Sequence, residues 1–396
     1  MGWGETGNVR LSPGFPSQTF AVDDQLQSVE NGGDLMINQV TINNFRCFQK
    51  LEVSNLKKVN LLVGKNSSGK SAFLEAIFLS SSSLAAQTSI QLRAIRRMGN
   101  LLVNPVDSQS YRGLWQDLFF DFNDNKKLSI KVEGSPISDS RTLSIEYRSP
   151  QVQELPFGKQ PSIPTGSQQQ EGAWPQIEFT WKRRDHEAVV SRPKFTGTGL
   201  QVESANASYF QSIWYTPGAG ELPEENAKRF AELDKRGDGD IDLVKSKICK
   251  EFPFIKDLSI LYQAGLPMMF AEVENKQRKM PVALLSDGIN RLLGMCLSLA
   301  YYKGGTVLID QFEDGFHHGL LPSIWSSIYG LAIEFNVQLF VSTHSRECLE
   351  SLLPTMRSHE DDFCLLRASR NDDGCDIKSL AGSYLESALE QDFEVR

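Results

Sequence analysis

Short apolar runs alternate with amphipathic stretches along most of the chain, and this pattern predicts strands interleaved with helices. The segment "INQVTINNFRCFQKLEVSNLKKVNLLVG" reads as two or three strands that end in the buried run Val59–Val63. A glycine-rich loop and a helix from about Ser71 to Leu79 follow. An apolar helix from Ser286 to Tyr302 and a strand that ends at Asp310 resume the pattern. The alternation predicts an α/β fold around a mixed central sheet.

The stretch between these two parts is read as a β-rich and helical insertion over residues 111–262. It contains the strand-like segments "KLSIKVEG", "TLSIEYRS" and "QIEFTWKR", a helical stretch over 222–257, and "LYQAGLPMMFAEV", which we read as strand. A loop rich in Pro, Gln and Ser covers 151–172. We therefore divide the chain as follows: a flexible extension (1–35), a first half (36–110), the insertion (111–262) and a second half (263–396). In the second half, a helix over 320–335, the strand "VQLFVSTHS" and a final strand pair complete the alternation.

Composition and charge narrow the class of protein. Of the 396 residues, 40% are hydrophobic and 23% are charged, as in globular proteins. The formal net charge of -8 argues against a surface that is cationic throughout, although a local basic groove stays open. No apolar run approaches the ~18 residues needed to span a bilayer, and the six cysteines form no C-x-x-C pair. We expect a cytoplasmic protein with reduced thiols and no membrane partner.

The strongest chemical signal is the segment "GKNSSGKS", which fits G-x-x-x-x-G-K-[ST] with a buried strand before it and a helix after it. The backbone N–H groups of such a loop, together with the helix N-terminus, bind phosphate. The Lys70 ammonium reaches the β- and γ-phosphates of a nucleotide, and the Ser71 hydroxyl can ligate Mg²⁺. The residues we assign to the nucleotide here are Gly64, Asn66, Ser68, Gly69, Lys70, Ser71 and Ala72. The sequence therefore predicts a site for ATP and Mg²⁺.

A second part of that site is predicted where the run "TVLIDQ" ends. Asp310 follows a buried strand and suits the second Mg²⁺ position, provided that its strand and the strand before Gly64 share a parallel sheet. The next residue is Gln311, where a nucleotide hydrolase usually holds another acid. An amide oxygen can hold a water molecule, but it does not accept a proton at neutral pH. We therefore expect nucleotide binding with weakened hydrolysis.

Two further segments carry weaker signals. "LLSDGINR" places Ser286 and Gly288 at the start of the apolar helix, where an anion site and an ordinary N-cap both agree with the sequence. "VSTHS" places His344 just beyond a buried strand, at the sheet edge where α/β proteins contact ligands. A lone histidine after a strand is more often structural. Neither segment identifies a site by itself.

In their order and spacing, the four segments resemble the ABC-type ATPases of the Rad50, RecF, SMC and OLD (overcoming-lysogenisation) group. The resemblance spans Met36 to about Leu353 and is strongest to the AAA-family ATPases of bacterial anti-phage operons. It rests on "NFR", "LSDG", "LIDQFEDGFHH" and "THS". The resemblance implies a P-loop NTPase, an ABC-ATPase head whose β-rich insertion separates the Walker A and signature segments.

The resemblance implies roles for the residues of the two phosphate segments. Lys70 and Ser71 match the Walker A residues, while Asp310 and Gln311 match the Walker B acid and the catalytic glutamate. Glutamine preserves the shape of glutamate but removes proton acceptance, so nucleotide should still close the site while turnover slows. An introduced substitution that traps the closed state and a natural pseudo-hydrolase both stay open.

Further residues are assigned by the same resemblance. Ser286 and Gly288 match the signature, which reaches the γ-phosphate of the other subunit, and His344 matches the switch histidine. Arg46 matches an arginine near the phosphates. Gln116, in "LWQDLFF", is our candidate for the Q-loop glutamine beside the metal.

The resemblance also implies partners. Two chains pair head-to-tail around two ATP molecules, as a homodimer or within a larger homo-oligomer. Because no effector segment is evident, we expect one in trans, a toprim-type or HNH nuclease of an anti-phage system. A RecF- or SMC-like DNA repair ATPase and a non-hydrolysing, ATP-gated sensor or scaffold are the alternatives. Contact with DNA or RNA stays open at two basic clusters, Arg93/Arg96/Arg97 and Lys182/Arg183/Arg184.

Overall fold

The computed structural model describes most of the chain from Met36 onwards. The described residues are 36–96, 98, 108–135, 137, 140–148, 176–196, 199–204, 213–216 and 223–390. The predicted extension (1–35), the predicted loop (151–172) and Arg97 lie outside the described residues.

The strands and helices follow the alternation that the sequence predicts. The strands are β1 (Met36–Phe45), β2 (Phe48–Val53), β3 (Val59–Val63), β4 (Leu128–Ser135), β5 (Arg141–Arg148), β6 (Gln176–Arg183), β7 (Val189–Thr196), β8 (Gly199–Ser204), β9 (Ile213–Thr216), β10 (Ile255–Gln263), β11 (Leu266–Val273), β12 (Met280–Pro281), β13 (Thr306–Ile309), β14 (Gln338–Ser342), β15 (Phe363–Asn371) and β16 (Gly374–Ala381). The helices are α1 (Lys70–Leu79), α2 (Ala85–Ile95), α3 (Ser108–Gly113), α4 (Pro223–Arg236), α5 (Asp240–Glu251), α6 (Asp287–Tyr301), α7 (Leu321–Glu334), α8 (Arg346–Arg357) and α9 (Ser383–Glu390).

The central sheet is mixed and has six strands in the order β16-β15-β3-β14-β13-β9. β3 is parallel to both β14 and β15, and β13 is parallel to both β14 and β9, whereas β16 is antiparallel to β15. The carboxyl ends of β3, β14 and β13 therefore meet at one edge of the sheet. The predicted mixed α/β fold is confirmed, and this edge carries the candidate site.

A second sheet of seven strands is antiparallel throughout, in the order β2-β1-β4-β5-β6-β7-β8. A third sheet contains β10, β11 and β12. The strands of residues 111–262 are thus distributed over all three sheets. β4–β8 extend the seven-stranded sheet from β1, β9 pairs with β13 in the central sheet, and β10 lies in the third sheet. The domain boundaries proposed from the sequence stay a prediction.

Two hydrophobic clusters lie on opposite faces of the central sheet. In β3, Leu61 and Val63 join one cluster and Leu62 joins the other, since neighbouring side chains of a strand point to opposite faces. The first cluster includes buried residues of α4–α8, and the second includes buried residues of α1 and of the seven-stranded sheet. The central sheet is therefore covered on both faces, which explains why its strands read as continuous apolar runs.

Two segments differ from the sequence prediction. The stretch 222–257, read as helical, contains α4 and α5, but β10 already begins at Ile255. The segment "LYQAGLPMMFAEV", read as strand, contains the turn of the β10–β11 hairpin. Ala264 (φ 51°) and Gly265 (φ 82°) both lie in the left-handed region, as a two-residue hairpin turn of type I′ requires. Alanine seldom adopts that conformation, so only Gly265 indicated a turn in the sequence, and Ala264 did not.

The cysteines are reduced and mostly enclosed. All six are free thiols, four buried and two half-buried. Burial raises the pKa of Cys296 to about 12, as expected for an unreactive thiol in an apolar core.

Within the described residues, no helix is both long and apolar enough to cross a bilayer.

Candidate functional site

The phosphate-binding loop connects β3 to α1. Gly64 has a φ of 146°, and a Cβ there would lie 2.2 Å from the backbone oxygen of Ala368, so glycine alone fits. Gly69 (φ 99°) caps α1 without a side chain, and a Cβ at this position would approach the ring of Phe48 to 2.9 Å. These two positions are required to be glycine by close packing as well as by the motif.

The polar groups of the loop agree with a phosphate site. The Lys70 ammonium donates to the backbone oxygens of Gly64 (2.7 Å) and Lys65 (2.9 Å). The Ser68 hydroxyl is buried, and it has no hydrogen-bond partner among the residues that the structure describes. Asn66 is exposed at the tip of the loop. Buried polar groups are normally satisfied, so the loop can accept a polar ligand.

The other two predicted residues of this segment lie at the start of α1. Ser71 is half-buried and Ala72 is buried.

The charge of Lys70 is influenced by its surroundings. Burial lowers the pKa of Lys70 from its ordinary value, while the charges of Asp310 and Glu313 oppose that shift. The Lys70 ammonium is therefore in the electrostatic field of both carboxylates.

Asp310 lies at the end of β13, on the same sheet edge as the loop. β14 separates β13 from β3, and Ser342 at its end connects the two parts of the site. The Ser342 hydroxyl donates to Oδ1 of Asp310 and accepts from the backbone N–H of Gln311 at 2.9 Å. The structure therefore places Asp310 at the same sheet edge as the loop that carries Lys70, because β3 and β13 run parallel in one sheet.

Helix α6 is tied to the loop that follows β13 by a buried arginine. The guanidinium of Arg291 donates to the backbone oxygens of Asp310 (3.0 Å) and Gln311 (2.6 Å). Gln311 has an exposed side chain and a φ of 54°. Arg291 thus holds the backbone around Gln311 in an uncommon conformation for a residue other than glycine.

The signature segment begins α6. The Ser286 hydroxyl accepts from the backbone N–H of Ile289 at 3.1 Å, so Ser286 is the N-cap of this helix and its side chain remains exposed. Gly288 is buried instead, and a Cβ there would lie 2.5 Å from the backbone oxygen of Gly315. Within a single chain, Gly288 therefore allows α6 to pack closely against the loop that follows β13, while Ser286 is exposed.

We expect Gly288→Ala to lower the free energy of unfolding by about 1–3 kcal/mol, because the added methyl group would overpack against backbone that cannot move aside freely. Chemical denaturation measures this change. The matched control is Gly113→Ala, at the end of α3, where a Cβ would meet no atom within 4 Å. Equal stability of the two variants would contradict the close packing of Gly288.

His344 follows β14 and pairs with a carboxylate that the sequence analysis did not single out. Nδ1 of His344 lies 2.9 Å from Oε1 of Glu313, and the backbone N–H of His344 donates to the same oxygen at 3.0 Å. Glu313 stands in the quoted segment "LIDQFEDGFHH", two residues after Gln311. The acidic residue was visible in the sequence, but nothing there showed that it would contact His344.

The remaining predicted residues, Arg46 and Gln116, contact other groups of the chain. Nε of Arg46 lies 3.1 Å from Oε2 of the buried Glu75 on α1, and Arg96 contacts the same carboxylate. Gln116 begins a 3₁₀ turn, and its side chain donates to the backbone oxygen of Phe122 at 3.2 Å. The predicted contacts of Arg46 with phosphate and of Gln116 with the metal stay predictions.

The first of the two basic clusters forms ion pairs within the chain. Arg93 pairs with Asp117, and Arg96 with Glu75. In the second cluster, Lys182 and Arg184 are exposed. Paired guanidiniums are less available to a phosphate backbone, so the first cluster is the weaker candidate for contact with nucleic acid.

The residues present fit a nucleotide with Mg²⁺. The buried, unpartnered Ser68 hydroxyl and the glycine-lined loop suit phosphate, while Ser71 and Asp310 supply one hydroxyl and one carboxylate for the metal. Within the described ranges, no group of three or more His, Cys, Asp or Glu side chains could hold a metal ion alone. Mg²⁺ would therefore bind together with the phosphates, whose charge it would neutralise.

Comparisons with protein families agree with this geometry. A model described as "AAA ATPase domain" matches residues 36–196, and one described as "AAA domain, putative AbiEii toxin, Type IV TA system" matches residues 180–350. A protein of Helicobacter pylori named "ATP/GTP phosphatase" is 23% identical over 360 residues, which cover 83% of this chain and 90% of that protein. The DNA replication and repair protein RecF of Bacillus thuringiensis is 34% identical over 62 residues, 16% of each chain.

Solved structures with a similar arrangement include SMC head domains. An SMC head bound to the C-winged helix domain of ScpA matches with a TM-score of 0.48 and 12% identity. The matched region covers 89% of this chain and 99% of the SMC head. The SMC head of Thermotoga maritima has a TM-score of 0.41 and 12% identity, with coverage of 86% and 97%. From its sheet order, its phosphate-binding loop and the two family matches, the chain has the fold of a P-loop ATPase.

Proposed function

We propose that this chain is an ATP-binding switch of the cytoplasm, which pairs with a second copy when ATP is bound and reopens after slow hydrolysis. The observation that carries the proposal is that the loop with Lys70 and the carboxylate of Asp310 follow β3 and β13 at the same edge of the central sheet. A glycine-lined loop, a half-buried lysine and an acid at this edge are the parts that bind a nucleoside triphosphate with Mg²⁺.

Hydrolysis in this proposal is slow because Gln311 stands where a catalytic glutamate is expected. Its amide can orient a water molecule but cannot take its proton. The Helicobacter pylori relative is named as a phosphatase of ATP and GTP, so phosphate release should be measured with both nucleotides. We propose ATP as the substrate of this chain.

Pairing of two copies is supported by the exposure of the signature segment. Ser286 is exposed at the start of α6, and the neighbouring Leu284 is 73% exposed. A helix N-terminus that points outward can bind the phosphate held by another chain. A head-to-tail pair with two-fold symmetry would use each chain's loop and each chain's signature once.

We expect Ser286→Arg to weaken the ATP-dependent dimer at least tenfold, equivalent to about 1.4 kcal/mol, because the long cationic side chain would occupy the contact surface. Sedimentation with and without ATP measures the dimer, and nucleotide binding by the separate chain should persist. Ser358→Arg, at the exposed C-cap of α8, is the matched control. A dimer that forms equally well with Ser286→Arg would contradict the pairing.

We further propose, from the family resemblance, that the switch gates an effector in trans, a toprim-type or HNH nuclease in anti-phage defence. The RecF match supports a second candidate, an ATPase of DNA repair, and Gln311 supports a non-hydrolysing sensor or scaffold. Affinity purification of the wild type and of Lys70→Ala from the native host separates them. A nuclease held only by the wild type supports gating, DNA supports repair, and ATP-dependent partners without hydrolysis support a scaffold.

A further inference from the structure

The loop after β13 carries a carboxylate, Glu313, two residues after Gln311, where a catalytic carboxylate is missing. The Glu313 side chain is 12% exposed, and its Oε1 contacts both the backbone N–H and Nδ1 of His344. Its other oxygen, Oε2, is buried and has no hydrogen-bond partner in the part of the chain that the structure describes. A buried carboxylate oxygen is normally satisfied, so Oε2 is available to a ligand or a water molecule.

The position of Glu313 relative to the phosphate-binding loop supports a role at the γ-phosphate. Glu313 lies three residues after Asp310 in the loop that follows β13, at the sheet edge that also carries the phosphate-binding loop, and the charges of both acids oppose the lowering of the Lys70 pKa. Burial raises the pKa of the neighbouring Asp314, the Arg291 guanidinium opposes this shift, and the charge of Glu313 adds to it. Asp310 and Glu313 thus share the loop at the sheet edge that carries the phosphate-binding loop.

Gln311 cannot perform the reaction that Glu313 could. The amide of Gln311 lacks a basic oxygen at neutral pH. Its side chain is exposed, whereas the Glu313 carboxylate is largely enclosed and oriented by two contacts with His344. A general base acts best when its position is held by a second group, and His344 supplies that orientation.

We propose that Oε2 of Glu313 accepts the proton of the attacking water in this chain, with His344 as the positioning residue. The water oxygen forms a bond to the γ-phosphorus while the bond from that phosphorus to the β-phosphate oxygen breaks. The bond's electron pair leaves with ADP, the water proton passes to Glu313, and the carboxylic acid later releases it to solvent. This inference rests on the proposed ATPase function and names the group that carries its slow hydrolysis.

Glu313→Gln tests the inference because glutamine keeps an oxygen that can accept from both groups of His344 but loses proton acceptance. We expect the single-turnover rate of phosphate release to fall about 100-fold, with ATP binding unchanged. The matched control is Asp314→Asn, which removes a charge from the same loop and should change the rate far less. A wild-type rate for Glu313→Gln would overturn the proposal.

A double variant separates proton acceptance from the positioning of His344. Gln311→Glu combined with Glu313→Gln returns one carboxylate to the loop, and we expect it to recover the lost hydrolysis. Recovery would show that the defect of Glu313→Gln is the loss of a proton acceptor, whereas no recovery would show that the defect has another cause and would overturn the proposal.

Different results would contradict the role of Glu313 and the proposed ATP-binding function. A wild-type protein that binds ATP but releases phosphate no faster than Lys70→Ala would overturn the role of Glu313 and the slow hydrolysis, and it would leave the ATP-dependent pairing standing. A wild-type protein that binds no nucleotide would overturn the proposed function itself.

Discussion

Replacement of Lys70 by alanine should weaken ATP binding about 100-fold, because charge-assisted hydrogen bonds to phosphate contribute about 1.5–3 kcal/mol each. The ammonium lies at the mouth of the loop, bound to the backbone oxygens of Gly64 and Lys65, and the carboxylates of Asp310 and Glu313 are nearby. Hydrolysis should fall by a further factor of about 10²–10³, since the charge that develops on the γ-phosphate loses its cation. Calorimetric titration and phosphate release measure the two effects.

Lys65→Ala is the matched control for this prediction. It removes a cation from the same loop, but the Lys65 side chain is exposed and its backbone oxygen, which contacts Lys70, remains. We expect it to bind ATP nearly as well as the wild type. If Lys65→Ala and Lys70→Ala lost affinity equally, the loop would attract nucleotide by its overall charge, and the assignment of Lys70 would be wrong.

Replacement of Arg291 by methionine should destabilise the protein by about 2–4 kcal/mol, because the backbone oxygens of Asp310 and Gln311 would lose a charged donor in a buried place. Methionine retains much of the side-chain length and apolar packing, so lost hydrogen bonding would dominate the effect. Urea denaturation measures the change in the free energy of unfolding.

Arg291→Met should also slow hydrolysis in the folded protein, because the same two hydrogen bonds hold the loop that carries Gln311 and Glu313. Arg278→Met is the control, since Arg278 is exposed in the turn that precedes β12. An Arg291→Met protein that was as stable and as active as Arg278→Met would show that the link between α6 and the β13 loop is unimportant.

Much of the candidate site could be predicted because its parts are local. The loop from Gly64 to Ser71 is recognisable since a buried strand, two glycines with positive φ and a helix N-terminus follow one another within a few residues. Ser286 could be predicted as the start of α6 for the same reason, because an N-cap bonds to a backbone N–H three residues later. Its second predicted role, contact with a partner's phosphate, depends on another chain.

The sheet arrangement could be predicted only in part. Continuous apolar runs indicated buried parallel strands, and the central sheet contains them. The pairing of β4 with β1 and of β9 with β13 joins strands far apart along the chain. Nothing in the alternation of polar and apolar residues specifies which strand edges meet, so the insertion looked separate when only its own pattern was considered.

The sequence by itself determined the elements and the two phosphate segments, because periodicity, glycine conformation and helix capping act over a few residues. Only the tertiary structure decided that β14 would lie between β3 and β13, bringing His344 to Glu313 across 31 residues of chain. The same long-range packing placed Arg291 on the backbone of Asp310 and Gln311. Such contacts depend on strand order and on the burial of whole faces, which no short segment encodes.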